Sequence, residues 1–247
     1  MSSISRITAA LVAGAALVAG AITAQITYAH IGARHHRTHN AARSMPGRRH
    51  LLHAIAAALS PPSGTIVHER AMIATPGRAP QPFELWAQSD SPQAYRVIKW
   101  GHEGSWNGSS LSTYDPHSNT VRVSPGGGPQ PGRSHQPVDF ASSLRALVQS
   151  GQARVGGTST IDGVSAYELS VGANADVLPP GSTAYVATSD YRPLVIDYNA
   201  NGGQTISFEA YEYLPANAVN LSLLNLVAQH PGARVVGPTE EAGVQRP

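Results

Sequence analysis

Residues 205–214 read Thr-Ile-Ser-Phe-Glu-Ala-Tyr-Glu-Tyr-Leu. Ile206, Phe208 and Ala210 fall on one side of an extended chain, and Thr205, Ser207, Glu209 and Tyr211 on the other. This is the period-two pattern of a strand with one buried and one wetted face. Working outward, segments of the same kind recur, each bounded by Gly, Pro, Asn or Asp: 65–74, 83–88, 94–100, 110–114 and 119–123 in the first half, and 153–161, 165–171, 183–188 and 194–198 in the second. They are short and closely spaced, which suits antiparallel hairpins, because a parallel pair needs a crossover of a dozen or more residues.

Helical signals are few. Residues 51–59 read as a short helix stopped by Ser60-Pro61-Pro62, since a proline disfavours helical geometry at the residue before it. A Gly/Pro-rich loop at 124–137 leads into 138–150, where Val138, Leu144, Leu147 and Val148 predict an interior helix ended by Gly151. Residues 221–228 are a closing helix or an irregular packed segment, and 237–247 read as a disordered tail. Neither a fixed-period repeat nor a composition break divides residues 51–236, so they form one domain. About ten strands with one helix midway predict a β-rich α+β fold, a large twisted antiparallel sheet whose concave face is either plugged by helices or left as a cavity.

Composition agrees with a sheet. The 247 residues include 24 Gly and 19 Pro, and only 13% are charged. Cysteine is absent, which removes disulfides, thiolate metal sites, a cysteine nucleophile and a lipid-accepting cysteine. The net charge of +2 conceals an asymmetry: residues 1–50 carry Arg6, Arg34, Arg37, Arg43, Arg48 and Arg49 and no acid. The remaining 197 residues hold 11 basic and 15 acidic side chains, a balance of −4. A nucleic-acid partner is therefore not expected, because it would require the positive charge on the folded surface.

Residues 7–24 are an uncharged run of Ala, Val, Leu, Ile and Gly with two threonines, preceded by Arg6. Two readings of residues 1–29 are open. One is a signal peptide cut after Ala24 or Ala29; the other, preferred here, is an uncleaved transmembrane anchor, since roughly 20 apolar residues cover the hydrocarbon core. The basic residues after the run favour a cytoplasmic body by charge alone. Residues 30–50, with His30, His35, His36, His39 and His50 among the arginines, are a basic linker suited to anionic headgroups.

Catalytic signatures are missing. Ser109, Ser110, Ser142 and Ser143 lack a nucleophile elbow. Gly126-Gly127-Gly128 is flanked by prolines, unlike a phosphate cradle. His102-Glu103 lacks the second histidine of a zinc helix, and His68, His117, His135 and His230 are scattered, so no metal or other cofactor is expected. Lys99, the single lysine, has no evident catalytic partner. Glu209 with Glu212, and Asp190 with Asp197, are the nearest carboxylate pairs, but strand parity places Glu209 and Glu212 on opposite faces unless a bulge intervenes. Trp86, Trp100 and Trp106, with Tyr95 and Tyr114, cluster in the first half and are the candidate ligand-binding residues of an apolar pocket.

Residues 112–121, Ser-Thr-Tyr-Asp-Pro-His-Ser-Asn-Thr-Val, resemble the tyrosine-aspartate-proline hairpin of LolA-like proteins, the bacterial lipoprotein carriers and their periplasmic regulatory relatives. Similar matches are the run from Ser150 to Leu169 with Ile161-Asp162-Gly163, Asp190-Tyr191-Arg192-Pro193-Leu194, and residues 206–215. The resemblance spans about residues 60–236 and implies an unclosed antiparallel half-barrel over helices, with an apolar cavity for acyl chains or lipoprotein-like ligands. It carries no catalytic residue. The expectation is thus a non-enzymatic, extracytoplasmic protein, membrane-anchored or secreted, that binds a lipid, an acylated ligand or another apolar ligand. The alternatives are an envelope sensor acting on a membrane-protein partner, and an unrecognised hydrolase.

Overall fold

The computed structural model describes residues 47–90, 94–126, 139–172, 178–198 and 203–237. The expected leader 1–29, most of the linker 30–50, residues 127–138 of the Gly/Pro loop and residues 238–247 lie outside these. In chain order the elements are α1 (Arg48–Ala58), β1 (Thr65–Ala74), β2 (Gln81–Gln88), β3 (Tyr95–Lys99), β4 (His102–Trp106), β5 (Ser110–Asp115), β6 (Thr120–Pro125), α2 (Phe140–Gln149), β7 (Ala153–Ile161), β8 (Val164–Val171), β9 (Thr183–Ala187), β10 (Pro193–Tyr198), β11 (Gln204–Pro215), α3 (Ala218–Ser222), α4 (Leu226–Gln229) and β12 (Arg234–Val236). The strands form one 12-stranded sheet in the order β12-β6-β5-β4-β3-β2-β1-β11-β10-β9-β8-β7. Its end strands, β12 and β7, do not pair with each other, so the sheet is unclosed.

The expected hairpins are present, and two strands exceed expectation. β4 reads His-Glu-Gly-Ser-Trp, with no apolar alternation to reveal it; it is defined by its partners, Tyr95↔Trp106 on one side and Ser105↔Ser112 on the other. β12 adds a parallel rung to β6, Val235↔Val121, after the chain has passed through α3 and α4.

Helices cover one face of the sheet, its inner face. α2 is amphipathic, and its N-cap Asp139 accepts the Ser142 N–H at 2.8 Å, satisfying one free donor of the first turn. Leu51, Ile55 and Leu59 of the first helical segment and Phe140, Leu144 and Leu147 of α2 are buried against Ala71, Ile73, Phe83, Leu85, Ile196 and Ile206 of the sheet. On the outer face the α3–α4 segment lays Leu224 on Ile66 and Trp86. The centre of the sheet is therefore covered on both sides, which is why Ile66, Val67, His68 and Glu69 are consecutively buried where an alternating pattern would leave every second residue wet.

A bulge resolves the parity of β11. The register pairs Arg70 with Ala210 but Ala71 with Phe208, leaving Glu209 as the extra residue. Beyond it the faces exchange: Ile206 and Phe208 point inward as expected, Tyr211 joins them, and Ala210 turns outward. Simple alternation placed Ala210 with Phe208 and Tyr211 opposite them, and the bulge overturns both assignments.

Turn chemistry fits its demands at one hairpin and strains at another. Asp162-Gly163 joins Ile161 to Val164 with φ of 48° and 82°, the two left-handed residues of a type I′ turn. Trp100-Gly101 does the same between Lys99 and His102, with φ of 55° and 76°. A bulky residue rarely adopts this conformation. Trp100 is also 57% exposed, with the Lys99 ammonium 4.1 Å from its ring centroid.

Candidate functional site

The inner face and the helices leave a cavity of about 360 Å³ at one end of their contact. Its sheet wall is set by register: Val67, Ala87 and Tyr95 stand directly opposite one another across β1, β2 and β3, with Leu85 beside them. Its helix wall is polar, from Asp139, Ser142 and Arg145 at the start of α2, and Ser60 and Pro61 close the end of the first helical segment. Arg145 is held in place by donating to the Leu59 carbonyl at 3.1 Å. The chamber is amphipathic, with an apolar strip from Val67, Leu85, Ala87 and Tyr95 and polar groups both along the helix and at Gln88 and Ser89, where β2 ends.

Behind this wall lies a carboxylic acid that sequence reading missed. Glu69 is 0% exposed and accepts the backbone N–H groups of Phe140 at 3.4 Å and Ala141 at 3.2 Å, the first residues of α2. Burial foremost, then the charge of Asp139 and a hydrogen bond shared with it, push the Glu69 carboxyl well above the usual carboxylate range, against the opposing pull of the two N–H donors. A hydrogen bond between two carboxyl groups needs a proton between them, so Glu69 carries it. Parity along β1 was the available signal: Val67 and Glu69 share the inner face, and a carboxyl among apolar strand positions marks a special environment.

Three tyrosines complete the cluster. Tyr213 donates to the Ala58 carbonyl at 2.8 Å and so receives the Tyr211 hydroxyl at 2.7 Å, stitching β11 to the end of α1. Burial, then the Tyr213 contact, raises the Tyr211 phenol far above its ordinary value, and burial, then Glu69, pushes Tyr198 up to about 12. These phenols are donors at every physiological pH, not bases.

The outer face carries a second polar system. Glu212, His68, Trp86 and Arg96 lie in one register row across β11, β1, β2 and β3. The His68 ring meets Glu212 at 2.7 Å and Glu84 at 2.8 Å and stacks on Trp86, whose ring also carries the Arg96 guanidinium at 4.5 Å. Burial opposes charge on His68, but the hydrogen bonds and charges of Glu84 and Glu212 outweigh it, and the imidazole pKa is raised. Arg96 donates to Glu103 and to the Leu223 carbonyl, and Glu103 meets His230, whose ring stacks on Tyr114. The row fastens the α3–α4 segment to the sheet.

The five aromatic candidates divide between these systems. Tyr95 and Trp106 are directly opposite on the inner face, and Tyr95 lines the 360 Å³ cavity. Trp86 and Tyr114 belong to the outer face, and Trp100 caps the β3–β4 turn. All five therefore do not line one pocket. The carboxylate pairs also separate into structural roles. The bulge turns both Glu209 and Glu212 toward outer-face partners, Arg70 at 3.0 Å and His68. Asp190 sits in the β9–β10 turn, whereas Asp197, near the far end of β10, accepts from Thr205 at 2.8 Å. Among the described residues no group of three or more His, Asp or Glu side chains is arranged to hold a metal ion, and no helix is long and apolar enough to cross a membrane.

Fold and site together define an unclosed twelve-stranded half-barrel with helices on its inner face and an amphipathic cavity between them. No protein-family model matches the chain, and no curated protein matches it by sequence. Solved structures similar to it include an uncharacterized conserved protein from Thermus thermophilus, at 14% identity and TM-score 0.42 over 76% of this chain and 98% of that one. LprF from Mycobacterium bovis is similar at 13% identity and TM-score 0.43, over 68% and 93% of the two chains. A LolA superfamily protein from Nitrosomonas europaea is similar at 11% identity and TM-score 0.30, over 68% and 94%. LolA superfamily structures, the family suggested by residues 112–121, are thus among the structural neighbours of this chain.

Proposed function

We propose that the protein is a non-enzymatic, extracytoplasmic binding module that holds a lipid, an acylated molecule or another amphiphile in the half-barrel cavity. The observation that carries this reading is the mixed cavity wall, in which Val67, Leu85, Ala87 and Tyr95 offer an apolar lane and Asp139, Ser142 and Arg145, with Gln88 and Ser89, polar groups around it. Its volume of about 360 Å³ falls in the range of small-molecule sites. The apolar run at residues 7–24 supports residence at or beyond the membrane.

Native mass spectrometry of the full chain, released from membranes in mild conditions, tests the reading. An acyl species should co-purify or a fatty-acyl probe should bind, and Ala87→Trp, which projects an indole into the cavity, should reduce occupancy at least tenfold. Absence of any bound species together with failure to take the probe, or equal binding by the tryptophan variant, overturns it.

A regulatory module acting by protein contact is the alternative. It draws on one observation: of the five large hydrophobic side chains exposed among the described residues, four, Val219, Leu221, Val227 and Val235, lie in α3, α4 and β12. Recovery of a stoichiometric membrane partner that is lost when Val219 and Val227 become serine would favour this reading over ligand carriage.

A further inference from the structure

α1 begins against its own electrostatics. Its N-cap, Gly47, offers no side chain to the free N–H groups, and its first turn contains Arg48, Arg49 and His50 with no acid. Cations there oppose the positive end of the helix dipole. The imbalance extends to the helical layer: residues 47–60 and 139–151 contain Arg48, Arg49 and Arg145 and a single acid, Asp139, which faces the buried Glu69. Among the described residues the other eleven acidic side chains lie outside these two segments, and the one that reaches the helical layer, Glu69, is fully buried, so the exposed part of that layer is positive.

On that side lies a groove of about 700 Å³ between α1 and α2. Leu52, Ala56 and Val148 form its apolar floor, and Arg49 and His53 stand on its rim, with no carboxylate among its lining residues. It is separate from the 360 Å³ cavity, with which it shares only Ser60. Arg48, Arg49, His50, His53 and Ala57 are all exposed.

We propose that this helical face docks on an anionic bilayer surface, with lipid headgroups against Arg48 and Arg49 and the upper acyl region against the Leu52–Ala56–Val148 floor. The inference rests on reading residues 7–24 as membrane-associated. Residues 25–47 number 23, and even a fully extended chain of that length reaches at most about 80 Å, which bounds how far α1 can lie from Ala24. An anionic surface supplies the negative charge that the first turn of α1 lacks. The same residues that make an isolated helix start unfavourable then become the contact.

Because the chain has no cysteine, Ala57→Cys in the full-length protein gives one labelling site at the groove. The labelled protein, carrying an environment-sensitive fluorophore, is mixed with vesicles of phosphatidylcholine alone or with added phosphatidylglycerol, and sedimentation is followed in parallel. The label should enter an apolar environment only with phosphatidylglycerol. The shift should weaken roughly thirtyfold in lipid concentration in the Arg48→Gln/Arg49→Gln variant, the loss of two surface charges, and should fade at high salt. A label that stays in water on vesicles that do sediment the protein overturns the proposal while leaving the leader reading intact. A shift equal in both lipids, or unchanged in the double variant, also overturns it. A shift with phosphatidylglycerol in a protein that fails to sediment with phosphatidylcholine supports the docking face and removes the leader reading.

Discussion

Replacing Phe83 by alanine is expected to lower the unfolding free energy by about 3–5 kcal/mol, measured by denaturant titration. Phe83 is 1% exposed and meets the edge of Phe140 with ring centroids 5.0 Å apart. Phe140 in turn packs against Phe208, and its backbone N–H is one of the two donors to Glu69. The truncation therefore opens a cavity where the sheet meets the first turn of α2, and that turn cannot collapse into it without giving up its bonds to Glu69. Phe83→Leu, which keeps most of the volume, should cost much less, under about 1.5 kcal/mol. A loss below about 1 kcal/mol for the alanine variant would show that α2 is not seated as described.

The second large effect is a change in pH dependence. Glu69 is neutral in the folded protein over a range in which it ionises when unfolded, so the folded state holds the extra proton and stability falls as pH rises from about 4.5 toward the raised folded value. The slope approaches about 1.4 kcal/mol per pH unit where only the unfolded carboxyl ionises. Glu69→Gln keeps an acceptor for Phe140 and Ala141 and offers a donor to Asp139. It should be more stable than the parent at pH 8, converge with it near pH 4, and lack the slope between. His68 acts in the same direction at higher pH: its contribution is full below 6.5 and is lost as pH rises through its raised folded value. The interval from pH 4.5 to 6.5 therefore isolates Glu69. Parallel stability profiles for parent and variant across that interval, by thermal unfolding, would refute the assignment of the proton to Glu69. The titratable groups coupled to it are Asp139 at the start of α2, Tyr198 of β10, and Tyr211 and Tyr213 of β11, and Arg145 acts on Tyr213.

Both effects arise at a site that local pattern does not announce. Phe83 was legible as a strand residue, yet its partner Phe140 lies 57 positions further on, beyond the Gly/Pro-rich loop. Glu69 shares its strand parity with Val67, Ala71 and Ile73, but nothing local shows what would pair a carboxyl there until α2, about 70 residues away in the chain, is placed over it. The aromatic cluster shows the converse: residues close in sequence were read as one pocket, but side chains on adjacent positions of a strand point to opposite faces, so Tyr95 and Arg96 part company at once. Glu209 and Glu212 were kept apart by parity with a bulge as the stated exception, and the bulge is there, a feature of pairing with β1 that β11 alone does not display.

What the sequence determined by itself was local in origin. Alternation, turn residues such as Asp162-Gly163, and the proline stop at residues 60–62 specify strands, hairpins and the first helix through forces acting within a few residues, and the lack of long polar-faced helices leaves an antiparallel sheet as the outcome. Tertiary structure decided the rest. The rung β12 adds beside β6, the bulge at Glu209, the proton on Glu69, the cavity between strand and helix walls, and the positive face of the helical layer all depend on which distant groups are brought together. Burial and electrostatic fields are properties of that assembly, and a side chain acquires them only when its neighbours across the fold are in place.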